Sequence, residues 1–281
     1  MLLAIDVGNT ETVIGLFSTG PGDDPPAGAL AAPPVPPEPA GLSHHWRLST
    51  VDDRTPDELA LLISQLLTLD QMNVTEVVTG IAVTSSVPRL TAALRQMASR
   101  WFDVPFVVLE PGVRSGMPIL YENPKEVGPD RIANAVGAYD LYGGPCIVVD
   151  LGTATTFDVV SEAGEYLGGA IAPGIAISMD ALFHHAAALR RVELVEPRSV
   201  IGKSTVESIQ SGALFGYAEQ VDGMCRRIMD ELGRCTVVAT GGLSDVVAPL
   251  SARIEHREPW LTLHGLRLIY ERNVKDGDQR R

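Results

Sequence analysis

Ile147-Val148-Val149-Asp150-Leu151-Gly152-Thr153-Ala154-Thr155-Thr156-Phe157-Asp158-Val159-Val160 is an apolar run that ends on a carboxylate, turns through glycine and hydroxyl residues, and resumes as a second β-rich run. The pattern reads as strand, tight turn, strand. The chain opens on a near-copy: Leu2-Leu3-Ala4-Ile5-Asp6-Val7-Gly8-Asn9-Thr10-Glu11-Thr12-Val13-Ile14-Gly15-Leu16-Phe17 repeats the order apolar run, Asp, apolar residue, Gly, small polar residue, β-rich run. Asp6 and Asp150 stand about half a chain apart, so one supersecondary unit is used twice.

Working outward from the first copy, residues 19–41 carry Pro21, Pro25, Pro26, Pro33, Pro34, Pro36, Pro37 and Pro39 among Ala and Gly. Such a segment forms no ladder and buries no core, and is expected to be a disordered insertion at a hairpin tip. His45-Trp46-Arg47-Leu48-Ser49-Thr50 then returns as a strand. Thr55-Pro56-Asp57-Glu58 opens a helix with Thr55 at the cap, Pro56 in the first turn and Glu58 three residues after the cap. A strand over 77–86, a helix over 89–102 and a strand over 106–109 follow. Residues 111–131 read as a long loop feeding a helix over 132–142, with Asp130 at its start.

Beyond the second copy, 166–174 returns as a strand, 175–189 and 205–232 are helical, and Thr236-Val237-Val238-Ala239-Thr240-Gly241-Gly242 is a buried strand ending in a glycine pair. The apolar spacing of 261–273 is helical, with a frayed tail after Lys275. Strands alternating with helices of this length imply a layered α/β fold. The length suits two domains, expected over 1–131 and 132–281, with the helix over 261–273 packing back on the first.

The composition is that of an ordinary globular protein, at 45% apolar and 20% charged residues. A net charge of −13 argues against a nucleic-acid partner, because phosphate tracking needs clustered Lys and Arg. No stretch reaches the roughly 20 apolar residues of a membrane span, and no cationic leader precedes the first apolar run. Three cysteines without metal-ligand spacing fit a reducing compartment, so the expected location is cytoplasmic.

Two glycine turns that follow a carboxylate, together with Thr240-Gly241-Gly242, suit close approach of backbone to phosphate. The amides of Gly8, Asn9 and Thr10 and the hydroxyls of Thr10, Thr12 and Thr153 are candidate donors to phosphoryl oxygens. Asp6 is placed to hold Mg²⁺ directly or through water. The adjacent pairs His44-His45 and His184-His185 point apart on a strand or helix and do not suit a shared metal.

The ordered set Asp6-Val7-Gly8-Asn9-Thr10, Gly128-Pro129-Asp130-Arg131, Asp150 to Thr156, Gly168-Gly169 with Pro173-Gly174, Ile201-Gly202-Lys203-Ser204-Thr205, Ala239 to Gly242 and Leu263-His264-Gly265-Leu266 resembles the type III pantothenate kinases over nearly the whole chain. The resemblance implies two ribonuclease-H-like domains of the acetate and sugar kinase, Hsp70 and actin type, with ATP in the interdomain cleft. It implies a homodimer that phosphorylates pantothenate to 4′-phosphopantothenate, the first step toward coenzyme A. By position, the residues Asp6, Val7, Gly8, Asn9, Thr10, Glu11, Thr12 and Val13 match the first phosphate loop and Thr153 an ATP contact. Asp150 matches the ligand of a monovalent cation, K⁺ or NH₄⁺, required beside Mg²⁺. Asp130 matches the proton acceptor, and Tyr121, Gly128, Pro129, Asp130, Arg131 and Thr205 match the pantothenate site.

The chain departs from the family pattern at Ala186-Ala187-Ala188-Leu189-Arg190, where a threonine and a proline are usual, and at Pro129 and Ser204. One alternative is an accessory member with weak or no catalysis. Another is a superfamily kinase acting on a sugar or acetate, which accounts for the hairpins but not for the runs 128–131 and 201–205.

Overall fold

The computed structural model describes residues 1–18, 39–186 and 189–278. Most of the proline-rich insertion, at 19–38, lies outside the described residues, as do Ala187 and Ala188 of the divergent 186–190 segment. In chain order the elements are β1 (Leu2–Val7), β2 (Glu11–Phe17), β3 (Leu42–Ser49), α1 (Pro56–Leu69), α2 (Val74–Val77), β4 (Gly80–Ser85), α3 (Pro88–Met97), β5 (Phe106–Val108), α4 (Pro129–Tyr142), β6 (Cys146–Leu151), β7 (Ala154–Val160), β8 (Tyr166–Pro173), α5 (Ile175–His185), α6 (Thr205–Leu232), β9 (Thr236–Thr240), α7 (Ser244–Val247), β10 (His256–Arg257) and α8 (Leu261–Asp278).

Contacts divide the chain into two compact units, one of Met1–Pro118, Glu122–Gly137 and the chain from Trp260, the other of Ile119–Tyr121 and Ala138–Pro259. The division at Gly137 falls within α4, six residues after the boundary expected from sequence.

The first unit carries a sheet in the order β3-β2-β1-β4-β5. β1 to β3 form an antiparallel meander, and β4 and β5 join β1 in parallel. Alternation sets the faces. Leu3, Ile5 and Val7 of β1 join Ile81 and Val83 of β4 in a core with Leu59, Ile63 and Leu67 of α1 and Leu90 and Leu94 of α3. The intervening residues of β1, Asp6 among them, therefore face the other side of the sheet. α8 packs against β1, β2 and β4.

α8 also meets α4 at close range. A Cβ on Gly265 would fall 1.8 Å from the carbonyl of Ala133, so only glycine allows the two backbones this approach. Beside it the Thr262 hydroxyl donates to Asn134 Oδ1 at 2.7 Å, giving the fully buried Asn134 a partner.

The second unit repeats the plan with β10-β9-β6-β7-β8: an antiparallel meander of β6 to β8, with β9 and β10 parallel beyond β6. Its core joins Ile147, Val149 and Leu151 to Val221 and Cys225 of α6 and Val237 of β9. Two mixed sheets of one topology, each flanked by helices, make the ribonuclease-H-like architecture.

Several boundaries differ from the sequence reading. Val77 closes the short helix α2, and β4 begins only at Gly80, because the β1 ladder starts with the pair Leu2–Gly80. α4 begins at Pro129 rather than Ile132, with proline where its missing N–H is tolerated. α5 stops at His185 instead of Leu189, with Ala186 in extended backbone. α8 continues to Asp278, past Asn273, whose side chain ties the helix to both the N–H and the carbonyl of Arg114.

Candidate active site

The first hairpin turns over Gly8 to Glu11, with the Gly8 N–H donating to the Glu11 carbonyl at 2.9 Å. That amide is therefore not available to a ligand, contrary to the sequence reading. The Thr12 hydroxyl is also engaged, lying 2.9 Å from Thr50 Oγ1, which in turn donates to the Gly8 carbonyl at 2.8 Å. Glu11 points sideways to an exposed ion pair with Arg47 at 2.9 Å, an interaction of small energetic weight. The backbone amides of Asn9 and Thr10, at the exposed tip, stand as the candidate phosphate donors.

Asp6 is half-buried at the end of β1, in register with Thr84 of β4. Registered neighbours project to one face, so the two oxygen-bearing side chains stand side by side. Thr84 is fully buried, and its hydroxyl has no hydrogen-bond partner among the described residues. A carboxylate next to an unsatisfied hydroxyl suits a hard divalent cation with its waters.

The second hairpin follows the same plan with a tighter turn, β7 beginning at Ala154 after β6 ends at Leu151. The Gly152 N–H donates to the Ala154 carbonyl at 3.0 Å, and Asp150 lies in register with the buried Thr240 of β9. The glycine pair after β9 explains itself here. Gly241 has φ +89°, and a Cβ on it would fall 2.5 Å from Asp150 Oδ1 and 2.7 Å from the Leu151 backbone. The end of β9 thus seats against the carboxylate, with Leu243 N–H donating to the Leu151 carbonyl at 3.1 Å. The Thr153 carbonyl is held by the Gly174 N–H at 3.2 Å. The oxygens clustered at this hairpin suit a monovalent or divalent cation equally in chemical type.

Asp130 and Arg131 lie in the first turn of α4. Asp130 Oδ1 accepts from the Arg131 N–H at 2.9 Å, and a Cβ on Gly128 would fall 2.5 Å from that same oxygen. Glycine at 128 therefore lets the carboxylate fold back over the helix start, where the exposed amides favour negative charge. Arg131 is 9% exposed.

Tyr121 belongs to the second unit. Its ring stands 6.4 Å from that of Tyr166, and the Leu120 N–H donates to the Tyr166 carbonyl at 2.8 Å. Tyr166 is held from below: its hydroxyl donates to Asp158 Oδ1 at 2.7 Å, and the Thr156 hydroxyl donates to Oδ2 at 3.0 Å. Asp158 and Tyr166 are both wholly buried. Thr205 stands exposed at the first turn of α6, after Ser204, whose hydroxyl caps the Glu207 N–H. The Lys203 N–H, then Arg198, hold the Glu207 carboxyl below its usual range.

The first unit thus holds the Asp6 hairpin and the Asp130-Arg131 helix start, and the second holds the Asp150 hairpin, Tyr121 and Thr205. Sequence reading missed Thr50, Thr84 and the Asp158–Tyr166 pair. Only the strand register reveals the first two, while Asp158 was visible as a lone carboxylate inside an apolar strand.

A family model described as type III pantothenate kinase matches residues 2–227. The chain belongs to that family. The type III pantothenate kinase of Streptomyces coelicolor is 51% identical over 282 residues, which cover 98% of this chain and 99% of that protein. Among solved structures, a conserved putative Baf family transcriptional activator from Campylobacter jejuni is similar with TM-score 0.57 and 20% identity, covering 97% of this chain and 99% of its own. A putative 2-dehydro-3-deoxygalactonokinase protein from Sinorhizobium meliloti gives TM-score 0.56 at 13% identity, covering 97% and 96%. At these identities the two structures speak to the fold, whereas the type III pantothenate kinases match in sequence from end to end.

Proposed function

We propose that the chain transfers the γ-phosphoryl group of ATP to pantothenate, giving 4′-phosphopantothenate in the first step of coenzyme A biosynthesis. Membership of the type III pantothenate kinases, at 51% identity over almost the full length, carries this reading. ATP and a divalent metal ion come with the kinase family; Mg²⁺ is the ion proposed, held by Asp6 through the phosphates.

Phosphoryl transfer asks the protein for alignment and charge stabilisation rather than covalent chemistry. The loop from Asp6 to Val13 would position the phosphates, with Asn9 and Thr10 as donors and Thr12 as a support. Thr153 would add an ATP contact, and Asp150 would hold K⁺ or NH₄⁺. Asp130 would accept the proton of the pantothenate hydroxyl late in transfer, when a carboxylate of ordinary basicity is sufficient. Arg131 would bind the substrate carboxylate through its guanidinium fork. Gly128, Pro129, Tyr121 and Thr205 would complete the pantothenate site. We further infer a cytoplasmic homodimer; among the described residues no helix is long and apolar enough to cross a membrane.

The test is ATP-dependent phosphorylation of pantothenate by the purified protein, with Mg²⁺ fixed and K⁺, NH₄⁺ and Na⁺ compared, and with hexoses and acetate as competing acceptors. Product from pantothenate with K⁺ or NH₄⁺ alone is the expected result. A folded protein that phosphorylates none of these under any cation would turn the assignment toward an accessory role. Asp130→Asn is expected to lower turnover by at least about 10²-fold while nucleotide binding persists.

A further inference from the structure

We propose that Thr50, the residue that follows β3, is the positioning residue of the first phosphate loop. The inference rests on that loop holding ATP, as proposed above. Thr50 grips the loop at three points: its N–H donates to the Thr10 carbonyl at 2.9 Å, its hydroxyl donates to the Gly8 carbonyl at 2.8 Å, and its Oγ1 lies 2.9 Å from Thr12 Oγ1.

The directions of these bonds follow from counting hydrogens. A hydroxyl has one hydrogen, and that of Thr50 goes to Gly8, so Thr12 must be the donor to Thr50. The relay runs Thr12 to Thr50 to the Gly8 carbonyl. In a planar trans peptide the C=O and the following N–H point in opposite directions. Drawing the Gly8 carbonyl toward Thr50 therefore turns the Asn9 N–H away from Thr50. Asn9 and Thr10 are exposed and Thr50 is half-buried, so the loop tip is held from its inner side while the Asn9 amide is presented outward.

The hydroxyl of Thr50 touches neither ATP nor pantothenate in this reading. It acts by fixing the aim of a donor, an effect distinct from general stabilisation of the strand. Its loss frees the Gly8–Asn9 peptide to rotate, so the ordering of that peptide must then accompany ATP binding.

The discriminating variants are Thr50→Val, which keeps the branched shape and the backbone N–H but lacks the hydroxyl, and Thr50→Ser, which keeps the hydroxyl. Calorimetry with a non-hydrolysable ATP analogue and Mg²⁺ reads binding directly, and steady-state kinetics reads KM for each substrate. Thr50→Val is expected to weaken analogue binding and raise the KM for ATP about tenfold, as expected for loss of one to two hydrogen bonds. The KM for pantothenate should move by less than about twofold, since that substrate's contacts are left in place. Thr50→Ser should recover most of the loss. Unchanged analogue affinity in Thr50→Val, or Thr50→Ser as impaired as Thr50→Val, would overturn the proposal. Should Thr50→Val fail to fold, Thr12→Val removes the donor end of the relay and is expected to weaken analogue binding about threefold with the pantothenate KM again unmoved; wild-type affinity in that variant would count against the relay. Wild-type protein that binds no ATP analogue would refute the reading of the loop itself. Wild-type protein that binds the analogue but leaves pantothenate unmodified would refute only the substrate assignment.

Discussion

Replacing Gly241 by alanine puts the seat of Asp150 to a quantitative test. Two costs are separable in the structure. At φ +89° an L-residue is strained, by roughly 1–2 kcal/mol. The new Cβ would also stand 2.5 Å from Asp150 Oδ1 and 2.7 Å from the Leu151 N and C atoms, and relieving such crowding costs about 1–3 kcal/mol. Gly241→Ala should therefore destabilise the chain by roughly 2–5 kcal/mol. Gly143 supplies the control, because it has φ +70° and a Cβ added there would meet nothing within 4 Å, so Gly143→Ala should cost only the roughly 1–2 kcal/mol of backbone strain. Urea unfolding of both variants isolates the contact as their difference. The second readout is the K⁺ dependence of turnover. With Asp150 as the proposed ligand of the monovalent cation, a displacement that loses about 1.4 kcal/mol at the ion should raise the half-saturating K⁺ concentration about tenfold, whereas Gly143→Ala should leave that curve in place. Equal destabilisation by the two substitutions, together with superimposable K⁺ curves, would refute the argument that β9 seats the Asp150 carboxylate.

Other perturbations address single links in the structure. Thr55→Ala removes a capping box in which Thr55 and Glu58 satisfy each other's backbone amides, and should cost about 1 kcal/mol in equilibrium unfolding without altering turnover. Tyr166→Phe deprives the wholly buried Asp158 of a donor, a loss of about 1–3 kcal/mol; because Tyr166 underlies Tyr121, the KM for pantothenate should rise in the same variant while that for ATP does not. Burial pushes the Cys146 and Cys225 thiols up to about 12. Unfolded thiols ionise from about 8.5, so the contribution of these groups is intact below that pH and declines as pH rises toward 12. Native protein at pH 8 should accordingly resist a thiol-modifying disulfide reagent that titrates all three cysteines after denaturation.

Local chemistry explains which parts of this structure were readable in advance. The two hairpins announced themselves because a carboxylate and a glycine interrupt otherwise continuous apolar strands. The start of α1 was written in Thr55, Pro56 and Glu58, and the span of α6 matched its reading over Thr205–Leu232. Elements whose limits depend on a distant partner were not readable. Val77 and Val78 look like strand residues, yet the ladder with β1 begins at Gly80. β10 has two residues and exists only because β9 offers an edge. The same holds within the candidate site. That Thr12 supports the loop while Gly8 closes it, or that Gly241 meets Asp150, follows from β2–β3 and β6–β9 pairing, which no local motif encodes. The Asp130-Arg131 pair was legible as chemistry, but the fold of the carboxylate over Gly128 was not.

The far end of β2 has a use of its own. At one end this strand leaves the proposed phosphate loop at Glu11, and at the other the chain is clasped by the Ser18 N–H donating to the Gly41 carbonyl at 2.8 Å. A strand of 7 residues spans about 23 Å, so the clasp is remote from the loop. Each doubling of the chain spliced between the clasped residues adds only about 0.6 kcal/mol of closure entropy. The clasp is thus a natural port for grafting: a fluorophore-bearing peptide or an entire small domain could be inserted there as a reporter, with the Gly8 to Glu11 turn at the other end of the strand left undisturbed.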